Sequence, residues 1–266
     1  MKTAEIIAIG SELLGPSRVD TNSLWLTEKL SDIGVEVQLK TIVGDDGARL
    51  EEAIADALKR ADIVITTGGL GPTEDDITRG CTAKALGREL VYHDDIETIL
   101  RERFRAWGRE MPEINKRQAF VIEGADILEN PRGSAVGILT AVGKKRVINL
   151  PGPPRENQPM FTDLVLARLK ELVGEVFIER RLMKIVGMGE SAVDEMAAPI
   201  YTSFEGVQTS ILFNKTEVEL QIAVRRDSPA EAETTADELT ARLADAFGIA
   251  MFTTTGETME AVVGRL

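Results

Sequence analysis

The chain has 266 residues, which suits one large or two modest domains, and its 43% hydrophobic and 28% charged residues are ordinary for a globular protein. A formal net charge of −13 argues against a nucleic-acid-binding surface, because neutralising phosphates requires a basic face. With one cysteine, Cys81, and one histidine, an internal disulfide is excluded and a structural zinc site has too few ligands. We expect a cytoplasmic protein, since the sequence shows no signal peptide and no apolar run that could span a membrane.

Segments with strand-like and helix-like spacing alternate through residues 1–173. The predicted strands are 4–9, 35–43, 62–66, 135–141 and 145–150. The predicted helices are 22–33, 50–58, 77–86, 94–107, 113–120 and 154–172. This alternation is typical of an α/β domain whose mainly parallel sheet is covered by helices on both faces. Because ligands of such sheets bind beyond the carboxyl ends of the strands, the turns after Ile9, Val43 and Thr66 are the expected wall of a site.

The pattern changes near residue 174, and a second, smaller α+β domain is predicted over residues 174–255. Its predicted elements are strand 176–186, helix 191–198, strands 207–213 and 218–224, helix 229–247 and strand 249–253. Residues 256–266 are predicted to be a turn and the first helical turns of a longer element, with an apolar face at Val262, Val263 and Leu266. We expect this tail either to pack back on the body or to begin a linker or a further domain.

The most informative segment is the glycine-rich acidic loop 66–76, which reads Thr-Thr-Gly-Gly-Leu-Gly-Pro-Thr-Glu-Asp-Asp. Three glycines at a strand-to-helix turn let a ligand approach the backbone, and the N–H groups of a helix start attract phosphate. The acids Glu74, Asp75 and Asp76 would repel that phosphate unless a divalent cation lay between them. We therefore predict a metal-assisted site for a phosphate-containing ligand. The alternative is an ordinary helix start capped by Asp75 or Asp76, which leaves the glycines unexplained.

A second acidic loop, Gly44-Asp45-Asp46-Gly47, follows the predicted strand 35–43. Two carboxylate-bearing loops at one edge of a sheet can share a cation, although Asp and Gly are equally expected in a plain turn. The other loops that could hold sugar or phosphate are polar or rich in Gly and Pro, namely 10–12, 20–22, 130–137 and 150–154. Each of them could equally be a connection or a helix start.

Six motifs stand in order along the chain: Ile7-Ala-Ile-Gly-Ser-Glu-Leu-Leu14, Asn22, Val43-Gly-Asp45, Gly68-Gly-Leu-Gly-Pro-Thr73 with Asp75-Asp76, Asn130-x-x-Gly133-x-Ala135-x-Gly137, and Leu150-Pro-Gly-Pro-Pro154. Their order and spacing resemble those of the CinA family of competence/damage-inducible proteins. The resemblance implies a first domain of the molybdopterin-binding, MoaB/MogA-like fold and, over 174–255, a KH-like module with Gly189-Glu190-Ser191 as a short signature. Residues 256–266 are similar to the opening of that family's third domain, the nicotinamide-mononucleotide deamidase.

The resemblance also implies a metal-dependent hydrolase that splits ADP-ribose into AMP and ribose 5-phosphate. It implies that Asp45, Asp75 and Asp76 are catalytic, and that Asp45 and Asp76 bind a divalent cation: Mg²⁺, or alternatively Mn²⁺ or Co²⁺. The implied substrate-binding residues are Gly10, Glu12, Asn22, Gly68, Gly69, Gly71, Pro72, Thr73, Asn130, Gly133, Ser134, Ala135, Pro151, Gly152 and Pro153. The implied partners are ADP-ribose or a related nucleotide and a second copy of the chain in a homodimer.

Two other interpretations stay open. The same fold could carry a pterin or nucleotide adenylyltransferase, since a fold does not fix a reaction. The chain could instead be a non-catalytic binding module whose KH-like domain contacts RNA. The acidic net charge and the lack of a Gly-x-x-Gly loop flanked by basic residues argue against that interpretation.

Overall fold

In the computed structural model, which describes residues 2–214 and 216–265, the chain divides into two units, Met1–Gly174 and Glu175–Leu266. The first unit contains β1 (Lys2–Ile9), α1 (Thr21–Asp32), β2 (Val35–Val43), α2 (Gly47–Arg60), β3 (Ile63–Thr67), α3 (Thr78–Leu86), β4 (Leu90–Tyr92), α4 (Asp94–Ala106), β5 (Phe120–Ile122), β6 (Asp126–Leu128), β7 (Gly137–Val142), β8 (Lys145–Leu150), α5 (Pro154–Met160) and α6 (Leu166–Val173). A 3-10 helix follows β1 at Ser11–Leu14, and a second one precedes β5 at Glu113–Ala119.

The main sheet of the first unit has six strands in the order β2-β1-β3-β8-β7-β6. Strands β2, β1, β3 and β8 run parallel, whereas β7 is antiparallel to both β8 and β6. The predicted mainly parallel sheet is therefore confirmed. Its register sets Ile9 beside Val43 and Thr67 beside Leu150, so the loops after these strands emerge at one edge.

Helices cover both faces of this sheet because the buried strands are apolar on both sides. In β1, Ile6 packs in the core that contains Leu26 of α1 and Leu169 of α6. The next residue, Ile7, packs in the opposite core with Leu50 of α2. Burying one such side chain contributes about 1.5–3 kcal/mol. The unit is thus a three-layer α/β structure of the predicted type.

Three short elements of the first unit were not predicted from the sequence. Strands β4, β5 and β6 have three residues each, too few to show an alternating pattern. The predicted helix 113–120 is the 3-10 helix Glu113–Ala119. The predicted helix 154–172 is found as α5 and α6 joined by a π-helical segment, Phe161–Val165, which begins two residues after Pro159. Proline has no N–H to continue the regular helical bonding.

The second unit contains β9 (Phe177–Val186), α7 (Glu190–Tyr201), β10 (Val207–Asn214), β11 (Glu217–Arg226), α8 (Pro229–Phe247), β12 (Met251–Thr253) and α9 (Met259–Val263). Its sheet is antiparallel with the order β10-β11-β9-β12, and the predicted β-α-β-β-α-β order is confirmed. The core packs Ile185 of β9 against Val193 of α7 and Leu239 of α8. In the predicted tail, α9 is capped by the Thr258 side chain, whereas Leu266 lies outside the described residues.

Among the described residues, no helix is both long and apolar enough to cross a membrane.

Candidate functional site

The loop after β3 can be built only with glycine at three positions. Gly68 and Gly69 have φ values of 107° and 65°. A Cβ on Gly68 would lie 2.3 Å from the carbonyl oxygen of Ile9, and one on Gly69 would lie 2.2 Å from Thr78 Oγ1. At Gly71 a Cβ would lie 2.4 Å from Asp76 Oδ2. The three glycines therefore let the loop fold tightly over the start of α3.

The carbonyl groups of this loop are turned toward α3. Thr78 donates from Oγ1 to the Gly68 oxygen (2.8 Å) and from its backbone N–H to the Gly69 oxygen (3.1 Å). A trans peptide places its N–H opposite its carbonyl, so the N–H groups of Gly69 and Leu70 face away from Thr78. In the described part of the chain, the N–H groups of Gly69, Leu70 and Gly71 donate no hydrogen bond. The loop thus offers three free amide donors, the arrangement that binds phosphate oxygens.

A buried arginine fixes the other end of the loop. Arg79, in the first turn of α3, is 4% exposed and donates from Nη1 to the Leu70 oxygen (2.7 Å) and from Nη2 to the Gly71 oxygen (2.8 Å). Burial lowers the pKa of Arg79 to about 10, although the charge of Asp76 opposes that shift. The side chain is therefore a cation at neutral pH, placed directly behind the free amides.

The glycine loop lines a cavity of about 300 Å³ at the carboxyl end of the sheet. Ten residues predicted for the site line it: Glu12, Gly68, Gly69, Gly71, Asp76, Ser134, Ala135, Pro151, Gly152 and Pro153. Four further residues line it that were not predicted: Ile9, Leu70, Gln118 and Glu156. The structure therefore brings the loops after β1, β3 and β8 and the loop before β7 to one place, although they are distant in the sequence.

The acidic residues are held in different ways. Asp76 accepts on Oδ2 from the backbone N–H of Thr73 (2.8 Å) and from Thr73 Oγ1 (2.6 Å). Asp45 is exposed and does not line the cavity; its Oδ2 accepts from the N–H of Ser11 (3.0 Å), and its own N–H donates to Ser11 Oγ (3.0 Å). Asp45 thus ties the β2–α2 loop to the residue that precedes Glu12. Asp75 is exposed.

Neither Asp75 nor Asp76 caps α3, so that alternative interpretation is wrong. The cap position is Ile77, which has no side-chain hydrogen bond to the helix. Of the other predicted residues, Pro72 is half-buried and Thr73 is exposed in the same loop, and the buried Gly10 donates its N–H to the Val43 oxygen (3.0 Å). These residues shape the loops around the cavity without lining it.

The carboxylates suit a cation that is shared with a ligand. Across residues 2–214 and 216–265, no group of three or more His, Cys, Asp and Glu side chains could hold a metal ion. Mg²⁺, however, is commonly held by one or two carboxylates together with water and substrate phosphates. Asp76 Oδ1 and both carboxylate oxygens of Glu12 accept no hydrogen bond from the described residues. These oxygens fit a divalent cation completed by a phosphate.

Another wall of the cavity is built around a buried carboxylate. Glu156, in the first turn of α5, is 8% exposed, and its Oε2 accepts from Asn130 Nδ2 (2.8 Å). Asn130 is also buried, and its Nδ2 donates to the Ala135 oxygen (2.8 Å). A Cβ on Gly133 would lie 1.9 Å from Glu156 Oε2, which explains why this position is glycine. Asn130 and Gly133 therefore act on the cavity through Glu156.

A second recess adjoins this cavity on the side of α1. It shares Ile9, Glu12 and Gly152 with the first cavity and is also lined by Asn22. Asn22 is buried and donates from Nδ2 to Thr67 Oγ1 (2.8 Å) and to the Gly152 oxygen (2.7 Å). Its Oδ1 is buried and has no partner in the described structure. Asn22 thus fixes the Pro151–Pro153 segment against the end of β3.

A family model described as "Probable molybdopterin binding domain" matches residues 5–171, and one described as "Damage-inducible protein CinA KH domain" matches residues 180–253. A CinA-like protein of Solibacter usitatus is 43% identical over 263 residues, and one of Koribacter versatilis is 44% identical over 265 residues. These matches cover 99% and 98% of this chain but 63% and 64% of the relatives, so the chain spans less than two thirds of their length.

A crystal structure of the protein CinA from Thermoplasma acidophilum is 32% identical, with a TM-score of 0.58. It covers 64% of this chain, and 99% of that structure is matched. The two family models follow each other in the same order as the two units of the fold. The chain therefore belongs to the CinA family and combines a molybdopterin-binding domain with a CinA KH domain.

Proposed function

We propose that the first unit is a metal-dependent hydrolase acting on a nucleoside-diphosphate-linked substrate, with ADP-ribose cleaved to AMP and ribose 5-phosphate as the best candidate reaction. One observation carries this proposal: Gly69, Leu70 and Gly71, whose N–H groups donate no hydrogen bond within the described residues, line the same cavity as the acids Asp76 and Glu12. Amides bind phosphate oxygens, whereas carboxylates beside phosphate require a cation between them. A diphosphate bound together with a divalent cation would satisfy both groups.

Each part of the site has a role in this proposal. The glycine loop would hold the diphosphate, and Arg79 would keep its amides in place. Asp76, which lines the cavity, and Asp45, which the family resemblance adds from outside it, are the proposed ligands of a divalent cation, with Glu12 as a further oxygen donor and Asp75 as a further catalytic candidate. When bound, the cation would offset the diphosphate charge and polarise the phosphorus atom. Asp45 would also hold the Ser11-Glu12 turn through its bond to Ser11.

The test is hydrolysis of ADP-ribose by the wild type and by Asp45→Asn and Asp76→Asn. We expect each substitution to lower turnover by at least about 100-fold, because a carboxylate that positions a cation is lost. The fold should survive, since asparagine keeps one oxygen acceptor in the same place. Glu129→Gln is the matched control, because Glu129 is exposed and does not line the cavity. Wild-type turnover in both aspartate variants would contradict the metal role, and so would full activity in excess chelator.

The second candidate is a pterin or nucleotide adenylyltransferase. It is favoured by the match of residues 5–171 to a family described as molybdopterin-binding. Incubation with molybdopterin plus ATP, followed by product analysis, separates the two candidates. An adenylylated pterin and no cleavage of ADP-ribose would replace our first proposal with the second. A chain inert in both assays would favour the non-catalytic binding module.

We further propose that the protein works in the cytoplasm as a homodimer. The cytoplasmic proposal rests on the single cysteine of the chain. The dimer proposal rests on the family resemblance and on apolar side chains at an edge of the first unit, where Leu39 and Ile42 of β2 are 44% and 41% exposed.

A further inference from the structure

Glu156 is a carboxylate placed where a phosphate would be repelled. It lines the same cavity as the glycine loop, yet it packs against Gly133 and Asn130 rather than against the free amides. At 8% exposure the side chain is mostly buried, so a ligand that covers its remaining exposed oxygen must replace the water there with a hydrogen bond. A ligand part that lies against Glu156 should therefore carry no negative charge and should donate hydrogen bonds.

Only one of the two carboxylate oxygens is satisfied. Oε2 accepts from Asn130 Nδ2 at 2.8 Å, whereas Oε1 accepts no hydrogen bond from the described residues. The side chain of Arg155, which is 79% exposed, reaches no closer to Oε1 than 3.8 Å. Oε1 is thus an acceptor held in a fixed position at the cavity wall by the bond that Asn130 makes to its twin oxygen.

We infer that Glu156 recognises the hydroxyl groups of a ribose that is joined to the phosphate in the glycine loop. A vicinal diol supplies two O–H donors close together, which suits a carboxylate acceptor. The inference rests on the proposed function, because it assumes that the phosphate lies on the amides of Gly69–Gly71. It makes Glu156 a specificity-determining residue and Asn130 and Gly133 its positioning residues.

The sharpest test compares ligands that differ by one hydroxyl group. Calorimetric titration in Mg²⁺ would measure the affinity for AMP against 2′-deoxy-AMP and 3′-deoxy-AMP, and for ribose 5-phosphate against 2-deoxyribose 5-phosphate. The two pairs distinguish the nucleoside ribose from the second ribose of the substrate. We expect the wild type to lose about 10-fold or more in affinity within one pair, the scale of a hydrogen bond to a charged group.

Three variants assign that discrimination to Glu156. Glu156→Gln keeps the shape but presents a donor or a weaker acceptor, so the hydroxyl and deoxy ligands should bind within about threefold of each other. Gly133→Ala should have the same effect with the charge intact, since its Cβ would displace Oε2. Glu129→Gln, an exposed neighbour of Asn130, is the charge-matched control and should discriminate like the wild type.

The outcomes separate this inference from the proposed hydrolysis. Discrimination in the wild type that persists in Glu156→Gln would overturn the inference, and so would a wild type that treats both pairs alike. If Glu156→Gln lowered kcat for ADP-ribose about 100-fold and left KM unchanged, the inference would also be overturned, because Glu156 would then act on the reacting atoms. A wild type that discriminates hydroxyls yet leaves ADP-ribose intact would support Glu156 and contradict the hydrolase.

Discussion

Arg79 shows how a single buried side chain can hold the backbone of a candidate site in place. Its guanidinium group donates to two successive carbonyl oxygens, those of Leu70 and Gly71, and Gln118 Nε2 adds a longer bond of 3.4 Å to the first. Burying a cation is costly, and both the nearby charge of Asp76 and the two loop carbonyls that accept from Arg79 offset that cost. The guanidinium group of arginine has a rigid fork of N–H donors, which suits two neighbouring carbonyl oxygens better than the compact ammonium group of lysine does.

We therefore expect Arg79→Lys to weaken AMP binding about 10-fold and to lower the free energy of unfolding by about 1–2 kcal/mol, as one buried carbonyl loses its donor. Titration calorimetry and urea denaturation measure the two effects. Arg79→Met should lose more in both, because charge and donors disappear together. Arg49→Lys is the control, since the Arg49 side chain is 79% exposed on α2. Full AMP affinity in a destabilised Arg79→Lys protein would reduce Arg79 to a purely structural residue.

At the scale of single residues, the sequence predicts those site residues whose role depends on their neighbours in the chain. The glycines at 68, 69 and 71 and the acids that follow them form one continuous signal, and most of them meet at the cavity. Glu156 and Arg79 could not be predicted in the same way. Each lies in the first turn of a helix, where charged residues are usually solvated, and each is buried by segments distant in the sequence.

At the scale of secondary-structure elements, an ion pair joins the interior strand β1 to the end of α2. Glu5 is 3% exposed within β1, in the strand that the sequence predicts at residues 4–9. Arg60, the last residue of α2, donates to both of its oxygens, from Nε at 2.7 Å and from Nη2 at 2.9 Å. The bidentate pair fixes the position of α2 along the sheet. The Asp45 loop leads directly into α2, so the pair also helps to position that loop.

Removing the Arg60 side chain should therefore lower the stability of the first unit more than its half-exposed position suggests. We expect Arg60→Ala to lower the Tm of the first unit by about 5 °C or more, because the Glu5 carboxylate is left buried without a partner. Adding Glu5→Gln to that variant should restore part of the loss. Scanning calorimetry of the two single variants and the double variant forms the cycle. Strictly additive Tm changes would show that the pair does not interact.

The longer elements of the fold follow directly from the sequence pattern, and the shorter ones do not. Strands β1, β2 and β3 combine apolar runs with turn residues at their ends, and their predicted ranges agree with the structure within a few residues. Among the described residues, strands β4 and β5, which precede and follow α4 in the sequence, pair only with each other. Their pairing depends on the packing of α4, which no local pattern reveals.

At the scale of the whole molecule, self-association is the first property to measure. Strand β2 is the edge strand of the main sheet, and exposed apolar edges favour pairing with another chain. We expect sedimentation at micromolar concentration to show a dimer of the 29.0 kDa chain. Ile42→Lys should weaken that dimer, because a charge on the edge opposes pairing. A wild type that sediments only as a 29.0 kDa species would contradict the homodimer.

The second unit should not bind single-stranded RNA. Its candidate backbone-clamping turn, Gly187-Met188-Gly189, ends at Glu190, whose Oε1 already accepts from the N–H of Phe213 at 2.6 Å. The acids of α8 outnumber its one arginine, Arg242: they are Glu231, Glu233, Asp237, Glu238 and Asp245. We expect no saturable binding in a fluorescence anisotropy titration of the full chain. A dissociation constant of about 1 μM or tighter would revive the binding-module interpretation.

The position of Arg79 also bears on how the protein responds to ionic strength. Dissolved ions screen charges in water over about 8 Å at physiological salt, but they reach a 4% exposed guanidinium group far less. The same ions do shield an anionic ligand from the net charge of −13 that the chain carries. Adding salt should then leave the attraction largely intact while weakening the repulsion. The affinity for a diphosphate ligand should therefore stay the same or increase as salt is added. An anionic ligand that is bound by exposed lysines would instead lose affinity in salt.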